Sequence, residues 1–374
     1  MSDRLYLATR KGLFTADRTK GQWKITRCAF LADPVYIVLP DPRDGWVYAA
    51  LGHGHFGVKL HRSSDGGETW EECKAPEYPK KPDDAKEIRC PSRNIPIPWN
   101  LELIWSLETG GADNLGELWC GTVPGGLFHS ADRGSTWEIN RPMWDHPSRK
   151  EWFGGGLDYP GLHSICVDPC DPKHVIIGIS CGGVWVTRDS GRSWKTSSEG
   201  LWASYMPPDR KYDPVIQDAH CVTQCRGNPD VLWLQHHNGA FRSTDGGANW
   251  QELKNVPPST FGFAVAAHPT DPQTAWFVPA ESDERRVPID GKVVVARTRD
   301  GGKSFDVLRN GLPQEHAYDI TFRHALDVDD SGERLAFGST TGSVWVSENQ
   351  GDNWQCLSSN LPPVYCVRFD RHST

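Results

Sequence analysis

The sequence predicts an all-β fold, a seven-bladed β-propeller spanning residues 1–374 as a single domain. Three observations carry that expectation. One eight-residue turn is written six times. The aromatics that close the turns, with one weaker copy, fall at 23, 70, 137, 194, 250, 305 and 354. Units of this length with four short strands each are the mark of a propeller. Finally, the two ends of the chain carry complementary parts of one unit.

The turn reads S/T-x-D/N-x-G-x-x-W/F. Its copies are "SSDGGETW" from 63, "SADRGSTW" from 130, "TRDSGRSW" from 187, "STDGGANW" from 243, "TRDGGKSF" from 298 and "SENQGDNW" from 347. Asp65, Asp132, Asp189, Asp245 and Asp300 hold one position, and Asn349 replaces them in the last copy. A carboxylate there can accept hydrogen bonds from the turn N–H groups, while glycine supplies a positive φ. The Ser or Thr adds a second local bond, and the aromatic packs beneath the hairpin. "TADRTKGQW" is the weaker seventh copy, with Asp17 and Trp23.

In chain order, "RLYLAT" at the N-terminus matches a second strand, so blade one lacks its first. "GVKLHRS" and "GGLFHSA" lead into the turns of blades two and three. Blade four shows the whole unit: "HSICVDP", "HVIIGIS", "GGVWVTRD" and "SWKTSS". "GAFRST", "KVVVARTR" and "GSVWVSE" lead into the turns of blades five, six and seven. The strand left over, "VYCVRFD", matches "SICVDP" and is expected to complete blade one and close the ring. A lone blade cannot bury both faces, so closure is needed for a core.

The six copies resemble the Asp-box (BNR) repeats of sialidases and related propellers, over nearly the whole chain. The resemblance implies the fold and a structural role for the repeated acids. It leaves the reaction open, because the arginine-isoleucine-proline motif of sialidases is missing; "SRNIP" at 92 is interrupted. Of the three arginines such enzymes use to hold a carboxylate, Arg10 alone is placed. The chain is therefore not expected to be a typical sialidase.

The turns join third to fourth strands, so they share one face. The long insertions 75–104, 141–160, 202–217 and 279–292 fall in loops of the opposite face, where the site is expected. Aligning blades four and five on Pro172 and Pro229 puts His163 and His220 at one position near the axis. Trp105, Phe263 and Tyr318 stand at the corresponding places in other blades. The ends of the second strands add His53, His55, His236, His237, Glu281 and Asp283. Expected catalytic groups are His163, His220, Glu281 and Asp283. Arg10, Arg285, Trp105, Tyr318, His53 and His55 are candidates for substrate binding. His163, His220, His237 and His236 are candidate ligands for one divalent ion, whose identity imidazoles do not fix.

A net charge of −8 without a basic run argues against nucleic acid. No run of 18 apolar residues and no apolar leader are present, so a cytoplasmic, membrane-free protein is expected. The eleven cysteines are expected to be reduced. No nucleotide-binding glycine pattern or nucleophile elbow occurs, so no nucleotide cofactor is expected. The favoured reading is a sialidase-like, glycosyl hydrolase-like enzyme binding a polar or anionic sugar or carboxylate at the channel mouth. A metal-dependent lyase or hydrolase and a non-catalytic binding scaffold are the alternatives. The partner is then a small molecule, and the oligomeric state is left open.

Overall fold

The computed structural model describes residues 1–371. Their strands form seven four-stranded antiparallel sheets. Six sheets follow chain order; the seventh joins the strand Val364–Phe369 to Arg4–Thr9, Gly12–Thr19 and Gln22–Ala29. The C-terminal strand thus completes blade one, as the chain ends imply. Each innermost strand packs against the innermost strands of the blades on either side, so the ring closes around an axis. The buried apolar clusters lie between blades, where one sheet covers the next.

The repeated turns are built alike. Ser63 Oγ donates to Asp65 Oδ1 at 2.7 Å and accepts from the Gly67 N–H at 2.8 Å. Asp65 in turn accepts from the Thr69 N–H and hydroxyl, at 2.9 and 2.6 Å. The same hydroxyl-to-acid bond recurs at Asp132, Asp189, Asp245 and Asp300, and Ser347 makes it to Asn349 at 3.0 Å. Gly67 has φ 84° and Gly247 φ 85°, which glycine adopts without strain.

The closing tryptophans do more than fill space. Trp137, Trp194 and Trp250 each donate the indole N–H to the preceding blade, at Lys74 O, Asn140 Oδ1 and Ser197 O. The weaker seventh copy forms no such turn. Asp17 lies within the strand Gly12–Thr19, ion-pairs with Arg4 at 2.8 Å and accepts from Thr26.

All eleven cysteines are free. No helix among the described residues is long and apolar enough to cross a membrane.

Candidate active site

Six of the seven innermost strands share one irregularity. In blade five Ala219 pairs with His236 and Cys221 with Gln235, which leaves His220 as an extra, unpaired residue. Such a β-bulge re-aims the extra side chain. The same register shift isolates Tyr36, Trp105 and His163 in blades two to four, and Tyr365 in blade one. In blade six the shift spans Phe263 and Ala264. The bulge needs room below it: a Cβ on Gly52 would stand 2.6 Å from the Tyr36 ring.

Five of these bulged side chains, Tyr36, Trp105, His220, Phe263 and Tyr365, line a cavity of about 530 Å³. Blade seven contributes differently. Its innermost strand is only Leu326–Val328, and the irregular chain before it brings Phe322, Arg323 and His324 to the wall. The long loops form the rim. Arg93 of 75–104 pairs with Asp158 of 141–160 at 2.5 Å, and Arg210 of 202–217 reaches Glu151 at 3.1 Å. Gly155, Tyr205 and Arg286 from these loops also face the cavity.

In the cavity wall four groups contact one another in succession. His220 Nε2 lies 3.4 Å from Asp218 Oδ2, which lies 3.5 Å from His237 Nδ1. His237 Nε2 in turn lies 3.4 Å from Asp283 Oδ2. Asp218 directly precedes the strand Ala219–Gln224, which carries His220, and the His237 backbone N–H donates to Asp218 O at 3.0 Å. Asp218 Oδ1 accepts from Ser180 Oγ at 3.2 Å and the Cys181 N–H at 3.1 Å. Burial alone would raise the Asp218 pKa, but His220 and His237 outweigh it and hold the carboxyl well below its ordinary range. Burial holds His220 below the usual imidazole range, although Asp218 pulls the other way. Its ring stacks on Phe263 at 4.7 Å, and its Nδ1 lies 2.7 Å from Gly262 O.

Two arginines bring positive charge to the same wall. Arg323 donates from Nε to His220 O at 2.6 Å, and its guanidinium lies 4.5 Å from the centre of the Trp105 ring. Burial lowers its pKa to about 10, which leaves it cationic at neutral pH. Arg286 donates to Asp283 O and lies 5.3 Å from the centre of the Phe263 ring. Among the described residues, neither arginine has a carboxylate partner.

The other expected site residues lie elsewhere. His163 is 1 % exposed, with Nδ1 2.8 Å from Ser164 Oγ and Nε2 2.7 Å from Ala219 O, so it has no nitrogen left for a metal or substrate. His236 is buried outside the cavity, where it accepts from the Asn238 N–H. Glu281 pairs with the exposed Arg285 at 2.8 Å, away from the wall. Tyr318 is 64 % exposed, because blade seven lacks the strand that would carry it inward. Arg10 is exposed, with its backbone N–H on Pro363 O. His53 faces Asp33 beside the short turn Gly54–Phe56, which holds His55; neither lines the cavity. Trp105, His220, His237 and Asp283 are the expected residues brought together there.

Sequence reasoning missed Asp218, Arg286, Arg323, Tyr36 and Tyr365. Asp218 stands before the strand Ala219–Gln224 and His220 at its bulge, so the two-residue alternation of a regular strand does not predict that they meet. Arg323 had no signal either, for it follows no strand pattern.

No family model matches the chain. It is 25 % identical over 280 residues to the oligoxyloglucan-reducing end-specific xyloglucanase of Emericella nidulans, covering 68 % of this chain and 32 % of that protein. The chain thus spans about a third or less of the length of the curated relatives it matches. The solved structure of an ancestral GH74 enzyme superposes with a TM-score of 0.57 at 17 % identity, covering 86 % of this chain and 38 % of that one. A functionally unknown protein from Desulfotomaculum acetoxidans superposes with a TM-score of 0.59 at 8 % identity, each chain covered in full. At such identities the superpositions speak for the fold alone.

Proposed function

We propose that the protein is a glycoside hydrolase-like enzyme whose central cavity takes an acidic saccharide. The observation that carries the reading is Arg286 and Arg323, two cations with no carboxylate partner among the described residues, set in an aromatic wall. Unpaired guanidinium groups in a half-enclosed site suit a planar carboxylate, which they can bind through paired hydrogen bonds. Tyr36 and Tyr365, stacked at 4.9 Å and 3° between planes, offer an apolar platform beside them for a sugar ring. Asp283, 3.4 Å from His237, supplies a carboxyl group for proton transfer close by. The likeness to xyloglucan-degrading enzymes supports saccharide chemistry, while the two cations favour a charged substrate over a neutral one.

Calorimetric titration with acidic and neutral oligosaccharides tests this. Acidic ligands should bind, and Arg286→Ala should weaken them about 10- to 100-fold, the effect of losing a charge-assisted hydrogen bond. Equal affinity for a neutral xyloglucan oligosaccharide, with no effect of Arg286→Ala, would overturn the reading.

A further inference from the structure

We propose that Asp218, His220 and His237 bind one divalent transition-metal ion, with an open position facing the central cavity. The proposal deepens the preceding reading by giving that cavity a reactive centre, but it stands on separate observations.

The first is distance. Asp218 Oδ2 lies 3.4 Å from His220 Nε2 and 3.5 Å from His237 Nδ1, and one ligand atom from each of the three residues lies within 4.8 Å of the others. A tetrahedral ion with bonds of about 2.0–2.2 Å sets its ligands roughly 3.4 Å apart.

The second is the direction of the lone pairs. Gly262 O, 2.7 Å from His220 Nδ1, can only accept, so that nitrogen carries the proton. In the neutral ring Nε2 is then a lone pair, and it faces a carboxylate oxygen. Two acceptors set against each other in a buried site need something positive between them. A metal ion satisfies both.

The third is the outer partners. His220 is held by Gly262 O and Asp218 Oδ1 by Ser180 Oγ and the Cys181 N–H, while His237 Nε2 faces Asp283 Oδ2 at 3.4 Å. Each ligand thus has a second partner on its far side, the arrangement that fixes tautomer and orientation in metal sites. The bulge at His220 and the backbone bond from His237 to Asp218 bring the three groups together in blade five. Two imidazoles and one carboxylate suit zinc, manganese or iron better than calcium or magnesium, which take oxygen ligands. Three protein ligands leave room for water or a substrate oxygen, which a bound ion would acidify or polarise.

The test uses the full chain, stripped with a chelator and titrated with Zn²⁺ and then Mn²⁺ by calorimetry, with bound metal counted after dialysis. One ion per chain is expected. Asp218→Asn, which keeps the acceptor for Cys181, and His237→Ala should each retain none. Asp283→Asn should weaken binding about 10- to 100-fold. Far-UV circular dichroism confirms that each variant is folded. Arg286→Ala should keep the ion while binding the acidic saccharide about 10- to 100-fold more weakly. A chain that holds metal but no saccharide would therefore sink the functional reading and leave this one standing. No ion in the parent chain, or equal ion content in folded Asp218→Asn and His237→Ala, would overturn it and leave a proton as the bridge between His220 and Asp218.

Discussion

His163 and His220 occupy the same bulge in adjacent blades, yet the cavity receives only His220. The difference lies in their neighbours. Both nitrogens of His163 are engaged, by Ser164 Oγ and Ala219 O, and Trp105 stands edge-on to its ring at 5.4 Å. His220 engages one nitrogen with Gly262 O and turns the other towards Asp218. Truncating His163 therefore removes packing and orphans a buried carbonyl. His163→Ala should cost about 2–4 kcal/mol in chemical denaturation, while the folded protein binds its ligands unchanged. Weaker binding with no loss of stability would show instead that His163 serves the site. Sequence spacing placed both residues correctly on the strand. It could not tell them apart, because what separates them is the partner each finds in the next blade. Likewise Arg285 and Arg286 are adjacent in one loop, and only the folded loop shows that the second faces inward.

At the scale of the element, the repeated turn was the most legible part of the chain, because its hydrogen bonds close within eight residues. Hydrogen bonds from Ser193 and Ser304 hold Asp189 and Asp300 each down to about 2. An unfolded Asp titrates near 3.9. These carboxylates therefore stabilise the fold above about pH 4, and that contribution is lost as pH falls through about 2. Urea midpoints should drop across this window. Asp300→Asn should make the drop shallower, since Asn349 keeps the bonds from Ser347 Oγ and the Asn353 N–H in the last copy without titrating. A midpoint that does not change between pH 4 and pH 2 would contradict this. The innermost strand of blade seven was not legible. It is three residues long, and the irregular stretch before it carries Phe322 and Arg323 where a regular strand was expected to present Tyr318.

At the scale of the molecule, the cavity exists because the ring is closed. Tyr365 reaches the wall on the last strand and Tyr36 on an early one, and they stack only because Val364–Phe369 pairs with Arg4–Thr9. Closure was foreseeable from the matching chain ends. The charge inside the ring was not, since Asp218, Arg286 and Arg323 come from three blades and from irregular segments that repetition does not describe. The most direct test is a crystal structure of the protein with a short oligogalacturonate. The ligand is expected to set a carboxylate between Arg286 and Arg323, with a sugar ring beside Tyr36 and Tyr365. A ligand bound on the turn-bearing face, or a cavity left vacant at saturating ligand, would contradict it.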